Sequence, residues 1–197
     1  MIYWIGYVFF KFLSFLYYPI EKVGVKQIPS KGSFILASNH LSYMDPMIIG
    51  LCFWRRISYL AKASLFENKI FGFFLHHVGA FPIKRDSADL SAIKETMKRL
   101  KRGCPVVIFP EGTRMAAGGS KEVQPGIGLV AVKSGVPVVP VYIRGSDKVL
   151  PPTAKFLRFN PVRVIFGEPK IYSKEDSYLE IATQITGQIY SLASKAK

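Results

Sequence analysis

The sequence predicts a single α/β domain with a mixed, largely parallel sheet flanked by helices, preceded by an N-terminal amphipathic helix. Three observations carry this. Apolar runs of strand length alternate with segments of helical period, the order that puts a sheet between layers of helices. One run, Pro105-Val106-Val107-Ile108, is apolar throughout with consecutive β-branched residues, as strands buried on both faces are. The 197 residues, 49% of them hydrophobic, provide core for one domain, and no internal repeat or low-complexity tract divides them.

The elements follow in chain order. Met1 to Tyr18 is almost wholly apolar, yet Tyr3, Tyr7, Lys11, Ser14 and Tyr18 recur at helical spacing on one stripe. Ile2, Ile5, Phe9, Phe12, Leu13 and Leu16 cover the other side. Residues 1–20 are therefore set apart as an association helix and residues 21–197 as the α/β domain. Phe34 to Ser38 reads as a strand bounded by Gly32, and Asp45 with Pro46 reads as the N-cap and first residue of a helix. Ile57 to Ala61 and Ala80 to Ile83 read as strands; Ile70 to Leu75 between them reads by default as a buried apolar helix, with the lining of a tunnel or contact with lipid left open. Helical patterns occupy 87–102 and 126–134, stopped by Gly103 and Gly135. Val138 to Ile143 and Val162 to Phe166 complete the strands. A last helix is expected from Ser173, where Ser-x-x-Asp with Asp176 resembles a capping box, and Lys195 and Lys197 suit its C-terminal end.

Charge narrows the partners. With 27 Lys and Arg against 13 Asp and Glu, the net charge is +14, which calls for an anionic partner. Nucleic acid is the weaker choice, since the cations are scattered and no nucleic-acid module is recognisable. An anionic membrane accounts for both the charge and the N-terminal segment. Lys11 at mid-segment and the tyrosine stripe fit a membrane-interfacial helix better than a crossing one. A secretory signal fits poorly, because no basic n-region precedes the apolar run. Cys52 and Cys104 make no disulfide framework and read as free thiols on the cytoplasmic side.

Asn39-His40-Leu41-Ser42-Tyr43-Met44-Asp45 spans the predicted strand-to-helix turn and carries the first chemical signal. An imidazole can take a proton from an alcohol, and a carboxylate on its other nitrogen would fix the tautomer and stabilise the imidazolium. Ser42 is the candidate nucleophile but lacks the Gly-x-Ser-x-Gly setting of an exposed one, which favours a base that activates the substrate's own hydroxyl. Alone, the pair also reads as a loop histidine beside a helix cap. A second signal is Phe109-Pro110-Glu111-Gly112-Thr113-Arg114, which follows the buried strand 105–108 and sets charged groups at its C-terminal end, where open α/β sheets bind ligands. Alone, it too reads as a solvated Pro/Gly turn. No metal-ligand spacing is present, and the adjacent His76 and His77 cannot both face one ion on a regular helix.

Together, these two blocks resemble the paired signatures of the glycerolipid acyltransferase family, which includes 1-acylglycerol-3-phosphate acyltransferases. Gly79-Ala80-Phe81-Pro82-Ile83-Lys84-Arg85 and Val136-Pro137-Val138-Val139-Pro140-Val141 resemble its remaining motifs, in the same order. The resemblance spans roughly residues 30–145. It implies that His40 is the general base, that Asp45 orients it, and that Arg85, Glu111, Gly112, Thr113 and Arg114 bind the acceptor's glycerol phosphate. Asn39, Ser42 and Lys84 are then supporting residues. Met115 and Gln124 depart from the usual pattern, where a serine and a lysine are common.

The expected activity is transfer of an acyl chain from acyl-CoA or acyl carrier protein to the sn-2 hydroxyl of lysophosphatidic acid, giving phosphatidic acid. No metal or prosthetic group is expected, the acyl thioester being a cosubstrate. The expected setting is the cytoplasmic face of the cell membrane, with peripheral or monotopic attachment. Two other readings stay open from sequence: an acyltransferase for another lysolipid or a lipid amine, and a noncatalytic protein that binds anionic lipid.

Overall fold

The computed structural model describes residues 2–83, 90–112, 123–151, 154, 156–174 and 176–196. Seven strands form one sheet: β1 (Ile20–Val23), β2 (Ile35–Ser38), β3 (Ser58–Lys62), β4 (Ala80–Ile83), β5 (Val106–Ile108), β6 (Val138–Arg144) and β7 (Val162–Phe166). Their spatial order is β1-β7-β6-β2-β5-β3-β4. Neighbours from β6 to β4 run parallel, β7 is antiparallel to β6, and β1 pairs with β7 in parallel. The mixed, largely parallel sheet expected from the sequence is therefore present. Its β1 was not legible there, because Ile20-Glu21-Lys22-Val23 has two charges in four residues and becomes a strand only against β7.

The helices are α1 (Ile2–Tyr17), α2 (Asp45–Gly50), α3 (Lys69–His77), α4 (Leu90–Lys101), α5 (Gly126–Ser134), α6 (Ser146–Val149) and α7 (Tyr178–Ser191). Strand residues alternate between two cores. Leu36, Val139, Val141 and Ile143 pack beneath α1 and α2, while Ile35, Ala37 and Val138 pack beneath α4, α5 and α7. Both faces of β2 and β5 are thus covered, which is why their sequences are apolar except at Ser38, the last residue of β2, whose buried hydroxyl donates to the Asn39 carbonyl.

Some boundaries differ from expectation, each for a local reason. The last helix begins at Tyr178, not near Ser173: Ser177 is its N-cap, and Ser177 and Glu180 form the reciprocal capping box that was sought with Asp176. Lys195 consequently lies in the 3-10 turn Leu192–Ala196 beyond α7, and Lys197 is outside the described residues. Asp45 is the first residue of α2 instead of its N-cap, and its side chain accepts from amides upstream of the helix. Lys22 donates to the carbonyls of Leu51 and Cys52 at 2.9 and 3.0 Å, satisfying the other end of α2 from β1. The first part of the expected helix 87–102, up to residue 89, falls outside the described residues.

The helix α1 shows which way the amphipathic stripe points. Tyr3, Ser14 and Tyr18 are buried, Tyr7 packs on the core, and the Tyr18 hydroxyl donates to the Phe10 carbonyl at 3.1 Å. The tyrosine-rich face is therefore the one that seats α1 on the domain, where the rings of Tyr3 and Tyr18 bury apolar area and their hydroxyls donate to the Arg55 and Phe10 carbonyls. Lys11 alone of the stripe is exposed. On the outer side Ile5, Phe9 and Phe12 are 61%, 56% and 60% exposed. The 16 residues of α1 extend about 24 Å, short of the ~30 Å hydrocarbon core of a bilayer. Among the described residues, no helix is long and apolar enough to cross a membrane.

The apolar run in α3, for which burial was the default and a tunnel wall or lipid contact stayed open, is only partly buried. Ile70 is 85% and Phe73 57% exposed, and Phe71 and Leu75 line a cavity instead of a closed core. Trp54, also exposed, stacks on Trp4 of α1 with ring centroids 4.8 Å apart. Exposed aromatic surface thus extends beyond α1.

Two measurements test this packing. A Cβ at Gly128 of α5 would lie 2.0 Å from the Tyr178 carbonyl oxygen on α7. Gly128→Ala is expected to lower unfolding stability by about 1–3 kcal/mol despite alanine's better helix propensity, seen as a lower denaturant midpoint; unchanged stability would mean the helices can separate freely. Cys52 is buried, and burial pushes its thiol up to about 12, whereas Cys104 is partly exposed. At pH 8 an aromatic disulfide reagent should modify one thiol in the native protein and both in denaturant.

Candidate active site

The site is assembled by strand register. The central strands β2 and β5 are parallel neighbours with Ala37 opposite Ile108. Three residues past each of these stand His40 and Glu111, so the two motif blocks meet at one edge of the sheet. The other neighbour of β2 contributes as well. The Asn39 amide donates to the Ile143 carbonyl at 2.9 Å and accepts from the Ile143 N–H at 2.7 Å, continuing the β2–β6 pairing with a side chain. This fixes the backbone immediately before His40.

The loop closes on one oxygen. Asp45 Oδ2 accepts from the N–H groups of Leu41 and Ser42, both at 2.7 Å, and lies 2.8 Å from His40 Nδ1. Asp45 is fully buried and His40 is 7% exposed, so water competes weakly for this pair. With Nδ1 facing the carboxylate, Nε2 is the nitrogen that remains for a substrate. The Phe109 ring stacks on the imidazole at 4.1 Å and 21°, fixing the plane of the ring from β5. Ser42 Oγ accepts from the Met44 N–H at 3.3 Å, and its buried hydroxyl holds the turn.

Glu111 faces inward. Its Oε2 accepts from the His40 backbone N–H at 3.4 Å, and its Oε1 accepts from the hydroxyl of Tyr190 on α7. Burial pushes its carboxyl above the ordinary carboxylate range, opposed by these two donors and by the His40 charge. Gly112 follows with φ +65°, a backbone conformation that glycine adopts without strain, and its N–H closes a turn on the Phe109 carbonyl at 3.0 Å. Lys84, Arg85, Thr113 and Arg114 lie outside the described residues. Of the residues that precede them, Ile83 is the last of β4 and Gly112 stands past the C-terminal end of the parallel strand β5, on the same edge as His40.

A cavity of about 520 Å³ opens on this edge, within the range of small-molecule sites. His40, Phe109 and Lys62 share its wall with Phe10 of α1, Met47 of α2 and Leu75 of α3. The imidazole therefore borders a largely apolar space beside a lysine at the end of β3. Among the described residues, no group of three or more His, Cys, Asp or Glu is arranged to hold a metal ion.

Three participants escaped the sequence. Lys62 directly follows the strand expected at 57–61, and its place at a strand's C-terminal end was the signal available. Phe109 was visible only as part of a motif. Tyr190 carries no local signal, because it lies 79 residues from Glu111 in a helix outside every motif block.

Comparison with known proteins identifies the family. Residues 19–144 match the family model described as Acyltransferase. The chloroplastic 1-acyl-sn-glycerol-3-phosphate acyltransferase of Brassica napus is 29% identical over 182 residues, covering 90% of this chain and 53% of that protein. The 1-acyl-sn-glycerol-3-phosphate acyltransferase of Bacillus subtilis (strain 168) is 29% identical over 173 residues, covering 87% of this chain and 83% of the relative. The crystal structure of the 1-acyl-sn-glycerophosphate acyltransferase PlsC from Thermotoga maritima superposes with a TM-score of 0.71 at 26% identity, covering 88% of this chain and 72% of the other. The chain spans about half the length of the plant relative. The family match runs from β1 to β6 and takes in His40, Asp45 and Glu111, over more than half of the residues; the chain belongs to the acyltransferase family.

Proposed function

We propose that this protein transfers an acyl chain from acyl-CoA or acyl carrier protein to the sn-2 hydroxyl of lysophosphatidic acid, forming phosphatidic acid at a membrane surface. The observation that carries the reading is the buried His40–Asp45 pair at 2.8 Å on the wall of a largely apolar cavity. The names of the relatives point to the same acceptor.

In this reaction the acceptor's hydroxyl oxygen attacks the thioester carbonyl carbon while His40 Nε2 takes the hydroxyl proton. Asp45 holds the imidazole in the tautomer with its proton on Nδ1 and offsets the imidazolium charge. The tetrahedral intermediate then expels the thiolate, which recovers the proton from His40. No acyl-enzyme is needed, because the thiolate leaves readily and the lipid hydroxyl is the nucleophile; the acyl thioester is the only cosubstrate required.

The acyl chain occupies the cavity between α1, α2 and α3. Arg85 and Arg114 grip the acceptor phosphate, as guanidinium groups do in bidentate fashion, and Lys62 adds a cation from β3. Glu111 serves the acceptor indirectly. Both its oxygens take protein donors, and it steadies the turn from which Gly112, Thr113 and Arg114 lead.

The outer face of α1 lies in the membrane interface, joined by Trp54 and the outer residues of α3. Exposed Ile5, Phe9 and Phe12 lose an unfavourable contact with water there, and nearby lysines each gain roughly 1 kcal/mol at an anionic leaflet. Attachment is peripheral or monotopic, on the cytoplasmic face of the cell membrane, where acyl-CoA and acyl carrier protein are available.

Purified protein given lysophosphatidic acid and each labelled donor should form phosphatidic acid, and His40→Ala should lower the rate by at least about a thousandfold. Full activity in that variant would sink the mechanism, and preference for another lysolipid or a lipid amine in the same panel would reassign the acceptor. Replacing both Phe9 and Phe12 by serine should weaken binding to phosphatidylglycerol vesicles by tenfold or more, with an unchanged far-ultraviolet dichroism spectrum. Equal vesicle binding would place the contact elsewhere.

A further inference from the structure

We propose that Tyr190 is a positioning residue for the acyl transfer, its hydroxyl holding the Glu111 carboxylate against the backbone of His40. This rests on the acyltransferase reading and extends the active site's framework to the C-terminal helix, which lies outside every sequence motif.

The geometry forms a relay of fixed groups. The Tyr190 hydroxyl donates to Glu111 Oε1, and Glu111 Oε2 accepts from the His40 N–H at 3.4 Å. That second bond is long, so its alignment depends on how firmly the carboxylate is held from the other side. The ring of Tyr190 is itself located by Tyr142 of β6, edge-on at 6.1 Å. Glu111 is 7% exposed, and without the tyrosine hydroxyl one of its oxygens would lose its protein donor. Burial favours the protonated carboxyl, and the Tyr190 and His40 donors are the largest influences favouring the carboxylate. His40 is thereby held from two sides: Asp45 fixes its ring and Glu111 its main chain.

Tyr190→Phe keeps the ring and removes only the donor. The variant should transfer acyl groups about tenfold more slowly in kcat, with the KM for the thioester little changed. In a Glu111→Gln background, adding Tyr190→Phe should cost less than about twofold, because both substitutions then act on one linkage. Equal fold-losses in the two backgrounds would overturn the proposal, as a general structural role predicts additivity.

Hydrogen exchange supplies a measure independent of turnover. Exchange across residues 38–43 should quicken severalfold in Tyr190→Phe, while peptides from α7 keep the wild-type rate. Unchanged exchange at His40 overturns the proposal whatever the activity. If the wild type fails to acylate lysophosphatidic acid and exchange at His40 still quickens, the acceptor reading fails and the Tyr190–Glu111–His40 linkage stands.

Discussion

A single buried carboxylate oxygen organises the active end of this molecule. Asp45 Oδ2 gathers two backbone amides and an imidazole nitrogen within 2.8 Å, and those groups come from three consecutive residues, His40 to Ser42. The loop between β2 and α2 is short because its ends are pinned by this oxygen. Once the amides of Leu41 and Ser42 are committed to Asp45, His40 has little freedom to turn away. The five-residue spacing of the histidine and the aspartate thus fixes the geometry of the chain as well as that of the pair. A buried carboxylate is costly unless its charge is satisfied, and here the three bonds to Oδ2 both stabilise the charge and place the imidazole, while Oδ1 is buried without a partner among the described residues.

The sheet supplies what the loop cannot. A parallel pair delivers its C-terminal ends to one edge, and the central position of β2 gives it a partner on each side. From β6 comes the Ile143 peptide that clamps Asn39; from β5 come Phe109 and Glu111, which hold the ring and main chain of His40. From β3, one strand further, comes Lys62. Each contribution is short-range, so a shift of one residue in register would undo the site. Burial of β2 and β5 on both faces resists such a shift.

The helix α1 joins the chemistry to its surroundings. Its inner face closes the cavity with Tyr3, Tyr7 and Phe10, and its outer face presents Ile5, Phe9 and Phe12. One helix therefore serves as a wall of the cavity on one side and as apolar surface on the other. Tyrosine suits the inner role, having a large apolar body with a hydroxyl that must find a carbonyl, as Tyr18 finds Phe10.

Much of this was determined by the sequence alone. The strands at 34–38, 80–83, 105–108 and 162–166 follow from apolar runs, the stops at Gly103 and Gly135 from glycines that adopt positive φ, and the closeness of His40 to Asp45 from local spacing, its chemical reading needing the second motif block. These are short-range matters, decided by sterics and hydrogen bonds within a few residues. Tertiary structure decided the rest. Whether the tyrosine stripe of α1 faces water or protein depends on what lies beneath the helix, and whether Ile70 and Phe73 are core depends on what covers them. Charged Ile20–Val23 becomes a strand only because β7 offers an edge. Glu111 and Tyr190 meet across 79 residues because α7 packs over the sheet, and no pattern within either segment encodes the other's position.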